Sequence, residues 1–406
     1  MSADIETAEQ TLDVSIEKLV YGGEGLARTP EGVVLVAGVI PDEKVSLRLE
    51  ERKKGVRHGR LLEVAAASPD RVAADCPYYG RCGGCQYQHI SYSRQLALKQ
   101  EIFRECLERI GKIRLELPIA VSASEPFGYR NRARFQVEKQ GSEFRIGYHE
   151  LLSHRLCAVE SCPISSPAIN AVVAKLCGGA GADCFPDGAA ELELFASDKD
   201  FSLLATVHAA SAPSPDFGER LRSAIPALES VCWRVETRRQ ETVWGSGALT
   251  YRVGEFHFRV GHDVFFQVNR FLHEAMIQAV LQDLEGDRAL DLYAGVGFFA
   301  LPLARRFDKV AAVESDAAAA RDLAANVGVV GGRARAFHKP AEKFLPVTSH
   351  KWDVVVVDPP RSGLAPAVVE QLRRVRPRRL VYVSCDPTTL ARDLARLTPA
   401  PYRIRS

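Results

Sequence analysis

The chain has 406 residues, 46% of them hydrophobic and 26% charged, which is apolar material for more than one core in an ordinary globular composition. Lys plus Arg number 53 against 51 Asp plus Glu, a net charge of +2 that excludes a wholly basic chromatin-type protein but leaves room for local basic patches. No apolar-plus-glycine run, Val33 to Ile40 included, is long enough to span a bilayer, and the acidic N-terminus lacks the basic-then-apolar order of a signal peptide. A cytoplasmic protein with no membrane segment is expected.

Residues 11–66 form the first predicted domain. Short β-like runs (Leu12 to Ile16, Gly32 to Gly38, Lys44 to Leu49, Gly59 to Val64) are separated by turn signals such as Gly22-Gly23-Glu24-Gly25 and Pro41-Asp42. Several short strands in so small a span suggest a barrel of the oligonucleotide-binding kind. Between Arg48 and Arg60 the chain carries Arg48, Arg52, Lys53, Lys54, Arg57 and Arg60 against Glu50 and Glu51. Phosphate contacts to a nucleic acid and a solvated charged hairpin explain that charge equally well.

The next predicted domain, residues 67–260, opens with Cys76-Pro-Tyr-Tyr-Gly-Arg-Cys82-Gly-Gly-Cys85. Three of the ten cysteines fall here, whereas a secreted disulfide framework would spread them through a small domain. The closeness suits a shared metal. A tetrahedral zinc or an iron–sulfur cube would need a fourth thiolate, for which Cys157 and Cys162 are candidates, and spacing does not choose between the metals. A helix is predicted from Ser91 to about Gly111, followed by mixed strands and helices. In Tyr129-Arg130-Asn131-Arg132-Ala133-Arg134 the arginines recur at every second position, which puts Arg130, Arg132 and Arg134 on one face of a strand. A nucleic-acid-facing edge and an exposed polar sheet face are both consistent with that pattern.

From residue 261 onward, and clearly from Asp287, strands alternate with helices. Strands are predicted at Ala289 to Tyr293, Lys309 to Val313, Trp352 to Val357 and Arg379 to Ser384, and helices at Phe298 to Arg306 and Ala317 to Val327. The strands alternate too little for a half-exposed sheet, so a doubly wound parallel sheet is expected. Asp291-Leu-Tyr293-Ala-Gly295-Val-Gly297 places glycines between a strand and a helix, where backbone can approach a ligand closely, and Glu314 ends the next strand, where a carboxylate suits a ribose. The loop also fits a dinucleotide fingerprint, the reading of an NAD-dependent oxidoreductase; the position of Asp291 tilts it toward S-adenosylmethionine. Val354-Val-Val-Val-Asp358-Pro359-Pro360-Arg361 delivers a carboxylate to the sheet edge, and Val383-Ser384-Cys385-Asp386-Pro387 delivers a thiol one strand further on, a good place for a nucleophile.

Together these motifs resemble the bacterial uracil-5 RNA methyltransferases that act on 23S ribosomal RNA, and the resemblance covers nearly the whole chain. It includes the N-terminal barrel (a TRAM domain, 11–66), the C-x5-C-x2-C array, Tyr129-Arg-Asn-Arg, Phe265-Phe-Gln267-Val-Asn269, the Asp291 to Gly297 loop, Asp358-Pro-Pro-Arg and Ser384-Cys385-Asp-Pro. The resemblance implies an α/β fold with a Rossmann-like methyltransferase domain (261–406) after a mixed α+β central domain. It implies Cys385 as nucleophile, with Gln267, Tyr293, Gly295, Gly297, Glu314 and Asp358 at the cofactor and uracil. It further implies a four-iron, four-sulfur cluster on Cys76, Cys82, Cys85 and Cys162, with zinc as the alternative, and a monomer whose RNA contacts include Arg52, Lys53, Lys54, Arg57, Arg130, Arg132 and Arg134.

The family's closing Asp-x-Phe-Pro-x-Thr-x-His-Val-Glu type of motif, whose glutamate is the assigned base, is not found between Cys385 and Ser406. The expectation is therefore a chain lacking its C-terminal end, which forms the covalent adduct but turns over poorly. A related transfer-RNA enzyme and a degenerate RNA-binding homologue are the alternative readings.

Overall fold

Apolar residues at alternate positions build the N-terminal strands. The computed structural model describes residues 11–30, 32–50, 55–235, 240–348, 350–398 and 402–405. They fold as two units, residues 1–106 with 149–157, and residues 107–148 with 158–406.

In the first unit, β1 (Thr11–Ser15), β2 (Lys18–Leu19), β3 (Gly25–Thr29), β4 (Gly32–Val36), β5 (Lys44–Leu49) and β6 (Arg57–Ala66) form one sheet of order β1-β5-β6-β4-β3-β2. Its inner face closes over Ile16, Ala27, Val34, Val36, Val39, Val45 and Leu47. Two strands, β2 and β3, were not expected. One is two residues long, and Gly-Leu-Ala-Arg-Thr carries little of the β-branched signal that marks a strand. The helix Tyr92–Arg109 begins one residue after Ser91, whose hydroxyl donates to Asp70 at 3.0 Å.

The second unit holds two sheets and a hairpin. Strands β7 (Arg132–Gln140), β8 (Glu143–His149), β10 (Gly188–Ala196), β11 (Leu203–Ala209), β12 (Leu228–Val235) and β13 (Gln240–Gly245) make a sheet of order β13-β12-β11-β10-β7-β8, and the short β9 (Leu156–Ala158) falls across the boundary between the two residue ranges. Here β7 pairs antiparallel with β8 and β10, and β11 runs parallel to β12. Strands β14 (Ala248–Val253) and β15 (Phe256–Gly261) form the hairpin.

The last sheet is wholly parallel: β16 (Gly286–Leu292), β17 (Phe307–Glu314), β18 (Ala334–His338), β19 (Val354–Val357) and β20 (Arg379–Tyr382), in the order β18-β17-β16-β19-β20. The chain winds outward from β16 to β18, then returns to the other side of β16. Such a reversal opens a crevice at the carboxyl ends of the two strands that flank it. Both faces are covered. Val354 and Val356 enter one core with Phe298, Leu301 and Leu323, while Val355 and Val357 enter another with Trp352, Val368 and Leu372. That burial is why these strands read as continuous apolar runs.

The helix expected from Phe298 to Arg306 is reduced to Ala300–Leu303. Pro302 has no N–H, so the ladder loses a bond at its centre and the flanking residues stay in turns. No helix among the described residues is long and apolar enough to cross a membrane.

Candidate active site at the carboxyl edge of the parallel sheet

Strand β16 ends at Leu292, and the backbone then turns sharply. Tyr293 has φ 61°, a left-handed conformation that costs a non-glycine residue about 1–3 kcal/mol. Its half-buried ring packs on the Trp352–Val368 core, and burial, then Glu342, Asp393 and Glu314, push its hydroxyl pKa upward. Gly295 has φ 54°, and a Cβ placed there would meet no atom within 4 Å. The space above this turn is open. Gly297 serves packing instead, since a Cβ there would come within 2.9 Å of Leu323 and hold the following turn away.

Glu314 closes β17 and holds the turn in place. One of its oxygens accepts from the Gly295 amide at 2.8 Å, and the other from the Ser315 and Asp316 amides at 2.6 and 2.7 Å. The oxygen bonded to Gly295 keeps a second lone pair for a ligand hydroxyl, whereas the other is already taken by two amides. Asp291 is fully buried one strand away, and neither of its oxygens has a hydrogen-bond partner of ordinary geometry. Burial, then the Asp358 and Glu314 charges, raise its pKa well above the ordinary carboxylate range, against the weaker opposing pull of the Ala300 amide. Three carboxyl groups thus converge on one edge.

Asp358 follows β19 directly. Burial raises its pKa to about 6, against the opposing hydrogen bond from Gln267, whose Nε2 donates to Oδ2 at 3.2 Å. The Gln267 backbone is itself fixed. Its carbonyl accepts from Asn131 Nδ2 at 3.0 Å and from His273 Nε2 at 2.8 Å. His273 is neutral at pH 7, because burial takes its pKa down to about 4 despite the carbonyl bond. Neither Asn131 nor His273 stands out in the sequence. Asn131 is hidden among arginines there, yet it is fully buried and ties β7 to the Gln267 loop. Phe265, two residues before Gln267, is 62% exposed, an unusual position for a large apolar ring and a ready platform for a base.

Cys385 is exposed, three residues beyond the end of β20. Val357 pairs with Tyr382 across the sheet, so Asp358 and Cys385 leave neighbouring strands at the same edge. After Cys385, Asp386 caps the helix Pro387–Leu397, accepting from the amides of Thr388 and Thr389 at 2.8 and 3.1 Å.

The arginine pattern in the central sheet has a different outcome. Arg130 lies before β7, in an isolated bridge with Ser165 and Asn269, and so shares no strand face with the others. Arg132 is almost enclosed. It donates to Glu193 at 2.8 Å and stacks 4.1 Å from the centre of the Phe195 ring. Arg134 pairs with Glu193 and Glu191, and with Asp263 at 3.5 Å. Arg132 and Arg134 are thus matched by carboxylates on β10 and in the loop after β15. Arg57 opens β6, half-buried; Arg52, Lys53 and Lys54 lie outside the described residues.

The cysteine array is likewise not gathered. Among the described residues no three His, Cys, Asp or Glu side chains come together as a group that would hold a metal ion. Cys76, Cys82 and Cys85 are half-buried, and the Gly84 amide donates to the Cys82 sulfur at 3.4 Å. Cys157 is buried and accepts from Arg81 at 3.2 Å, whereas Cys162 is within hydrogen-bond reach of the Tyr148 hydroxyl.

The strand order, the glycine turn after β16 and the carboxylate closing β17 define a doubly wound methyltransferase domain. Residues 246–404 match the family described as tRNA (uracil-5-)-methyltransferase. The chain is 35% identical to a 23S rRNA (uracil(1939)-C(5))-methyltransferase of Halomonas elongata, over 98% of this chain and 86% of that one. It is 33% identical to an uncharacterized RNA methyltransferase of Aquifex aeolicus, over 98% and 94%. Its fold matches the Pyrococcus abyssi tRNA (uracil-54, C5)-methyltransferase, solved with S-adenosyl-L-homocysteine, at a TM-score of 0.76 and 25% identity, covering 95% of this chain and 93% of that one. The chain belongs to the S-adenosylmethionine-dependent RNA uracil-C5 methyltransferases. The cofactor fits what the edge offers: open space above Gly295, and the Glu314 carboxylate at the end of β17.

Proposed function

We propose that the substrate is a uridine of 23S ribosomal RNA, modified in the cytoplasm by a monomer, and that Cys385 is the nucleophile. The observation that carries the mechanism is the departure of Asp358 and Cys385 from adjacent strands at one edge, beside the Gly295 turn. The ribosomal substrate is supported by the full-length likeness to the Halomonas elongata enzyme.

Carbon 5 of uracil is a weak nucleophile. The Cys385 thiolate adds to carbon 6, forming a C–S bond and moving the ring's electron pair toward carbon 5 and the carbonyl oxygen at position 4. S-adenosylmethionine, when bound, supplies an electrophilic methyl group. Carbon 5 would take that methyl with the pair released by the thiol addition, the sulfonium S–CH3 bond breaking with its pair going to sulfur to leave S-adenosylhomocysteine. A base then removes the carbon 5 proton, the C5=C6 bond re-forms, and the thiolate leaves. Asp358 and the Gln267 amide, fixed by Asn131 and His273, hold the uracil edge; Glu314 holds the ribose of the cofactor and Tyr293 shapes the turn. Near-attack geometry of this kind accounts for much of such a rate enhancement. A base reaches the site only after leaving its stack, with Phe265 as a surface to receive it.

RNA containing 5-fluorouridine tests this reading. Fluorine replaces the proton that must leave, so methyl transfer stops at a stable protein–RNA adduct, visible as a slow-migrating band. Adduct formation that requires S-adenosylmethionine and vanishes in Cys385→Ala is expected; a Cys385→Ala variant that forms it as fast as the parent would overturn the mechanism. Run with ribosomal and transfer RNA fragments side by side, a preference for transfer RNA would overturn the substrate alone.

The iron–sulfur proposal on Cys76, Cys82, Cys85 and Cys162 rests on their spacing and on amide donation to Cys82. Four irons with matching acid-labile sulfide per chain are expected; stoichiometric zinc, or no metal, would overturn it.

A further inference from the structure

The helix that follows Cys385 does more than present its N-terminus. Three residues on one face of it, Thr389, Arg392 and Asp393, grip the loop that follows Asp358, residue by residue. Thr389 Oγ1 donates to the Arg361 carbonyl at 3.0 Å, Arg392 Nη2 to the Ser362 carbonyl at 2.8 Å, and the Leu364 amide donates to Asp393 Oδ2 at 2.7 Å. Asp393 is fully buried. Its Oδ2 also accepts from the Tyr382 hydroxyl at 2.8 Å, at the end of β20, and its Oδ1 accepts from Arg392 Nε at 2.9 Å. One carboxylate therefore binds both the loop leaving Asp358 and the strand leading to Cys385.

The fit around it is close. Gly363 has φ 75°, and a Cβ added there would overlap the Asp393 carboxylate and the Arg392 guanidinium. The loop conformation and the helix face are thus specified against each other. Buried charges are held in this way only when every oxygen is engaged, and here both are.

We propose that Asp393, backed by Arg392 and Thr389, is a positioning residue that keeps Asp358 in register with Cys385, so that carboxylate and thiol address the same uracil. The proposal rests on the nucleophile reading above. Cofactor binding should change little, because the hydrogen bonds of Asp393 run to the loop after Asp358 and to β20, Glu314 is held by the Gly295, Ser315 and Asp316 amides, and Asp393 reaches the Tyr293 turn through its charge alone. Misplacement of reacting groups by about 1 Å costs a rate on the order of 10²-fold.

The test uses the full chain and measures the rate of adduct formation on 5-fluorouridine RNA at saturating RNA, the RNA concentration for half-maximal rate, and S-adenosylhomocysteine affinity by calorimetry. Rates are normalised to the folded fraction. Asp393→Ala and Gly363→Ala should each slow the step roughly 10²-fold, leave both binding constants within about threefold, and lose as much in combination as singly. Asp393→Asn, which keeps an acceptor for Leu364 and Tyr382, should recover most of the rate. A normalised Asp393→Ala rate within threefold of the parent, or a parallel loss of cofactor affinity, would overturn the proposal. If Asp393→Ala does not fold, Gly363→Ala and Tyr382→Phe give the same decision, the latter expected to cost only a few-fold. A normal Cys385→Ala would instead remove the reading on which the proposal stands, and is distinguishable from a failure of Asp393 alone.

Discussion

The central sheet and the parallel sheet of the second unit handle charge in opposite ways. On the central sheet Arg132, Arg134 and Arg234 lie among Glu193, Glu191, Asp263 and Glu241, and His208 bonds Asp263 at 3.1 Å. Opposite charges meet and neutralise. At the carboxyl edge of the parallel sheet, Asp291, Glu314 and Asp358 converge without an ion pair among the described residues, and the Asp291 oxygens lack a well-formed hydrogen bond. A matched network holds strands together; an unmatched one stores an unfavourable field that a cationic ligand can relieve.

The comparison makes signed predictions. Cys385→Ala, which leaves both charge patterns intact, should lower methyl transfer by at least about 10³-fold with little change in the thermal midpoint. Arg132→Met should destabilise the protein by about 3–5 kcal/mol in denaturant titrations, because Glu193 is left enclosed without its closest partner. Asp358→Asn should do the reverse, stabilising the ligand-free protein by about 1–3 kcal/mol at pH 7.5 while slowing adduct formation. The sign follows from the raised pKa: the folded state binds the Asp358 proton more tightly than the unfolded chain, so stability falls as pH rises from about 4 to about 6. Below pH 4 the gain from asparagine should vanish; a gain independent of pH would break the comparison. Glu314→Gln keeps one acceptor oxygen, loses the charge and sets an NH2 group against a backbone N–H, and should weaken S-adenosylhomocysteine by about tenfold in calorimetry.

An acid effect of the opposite sign, each part of it comparable with that of Asp358, is expected from His273 and His262, both held near a pKa of 4, mainly by burial. Their folded pKa values lie below the unfolded one, so the stability they contribute is present above about pH 6.5 and lost as pH falls toward 4. Asn131→Ala, which removes the other anchor of Gln267, should slow adduct formation with cofactor affinity unchanged.

Much of the second unit was legible without coordinates. Val354 to Val357 had to be a buried strand, since four consecutive valines suit a sheet covered on both faces, and Asp358 and Cys385 had to follow strands because of the runs before them. The helix Pro387–Leu397 was not expected, although Asp386-Pro387 is a local start signal and Asp386 caps it. Arg132 and Arg134 misled because alternation reports which face a residue shares and says nothing of what stands opposite. Their partners on β10 are about sixty positions away in the chain.

The order of residues by itself determined the parallel sheet, the glycine turn and the family, because each is written in short, local patterns whose spacing follows from strand and helix geometry. Only the tertiary structure decided which charges are matched and which are left for a ligand. It alone showed that Asn131 and His273 fix Gln267, and that Asp393 joins the Asp358 loop to the Cys385 helix. The physical reason is range. Burial and electrostatic pairing depend on what lies within a few ångströms in space, and in a wound sheet those neighbours come from strands far apart in sequence.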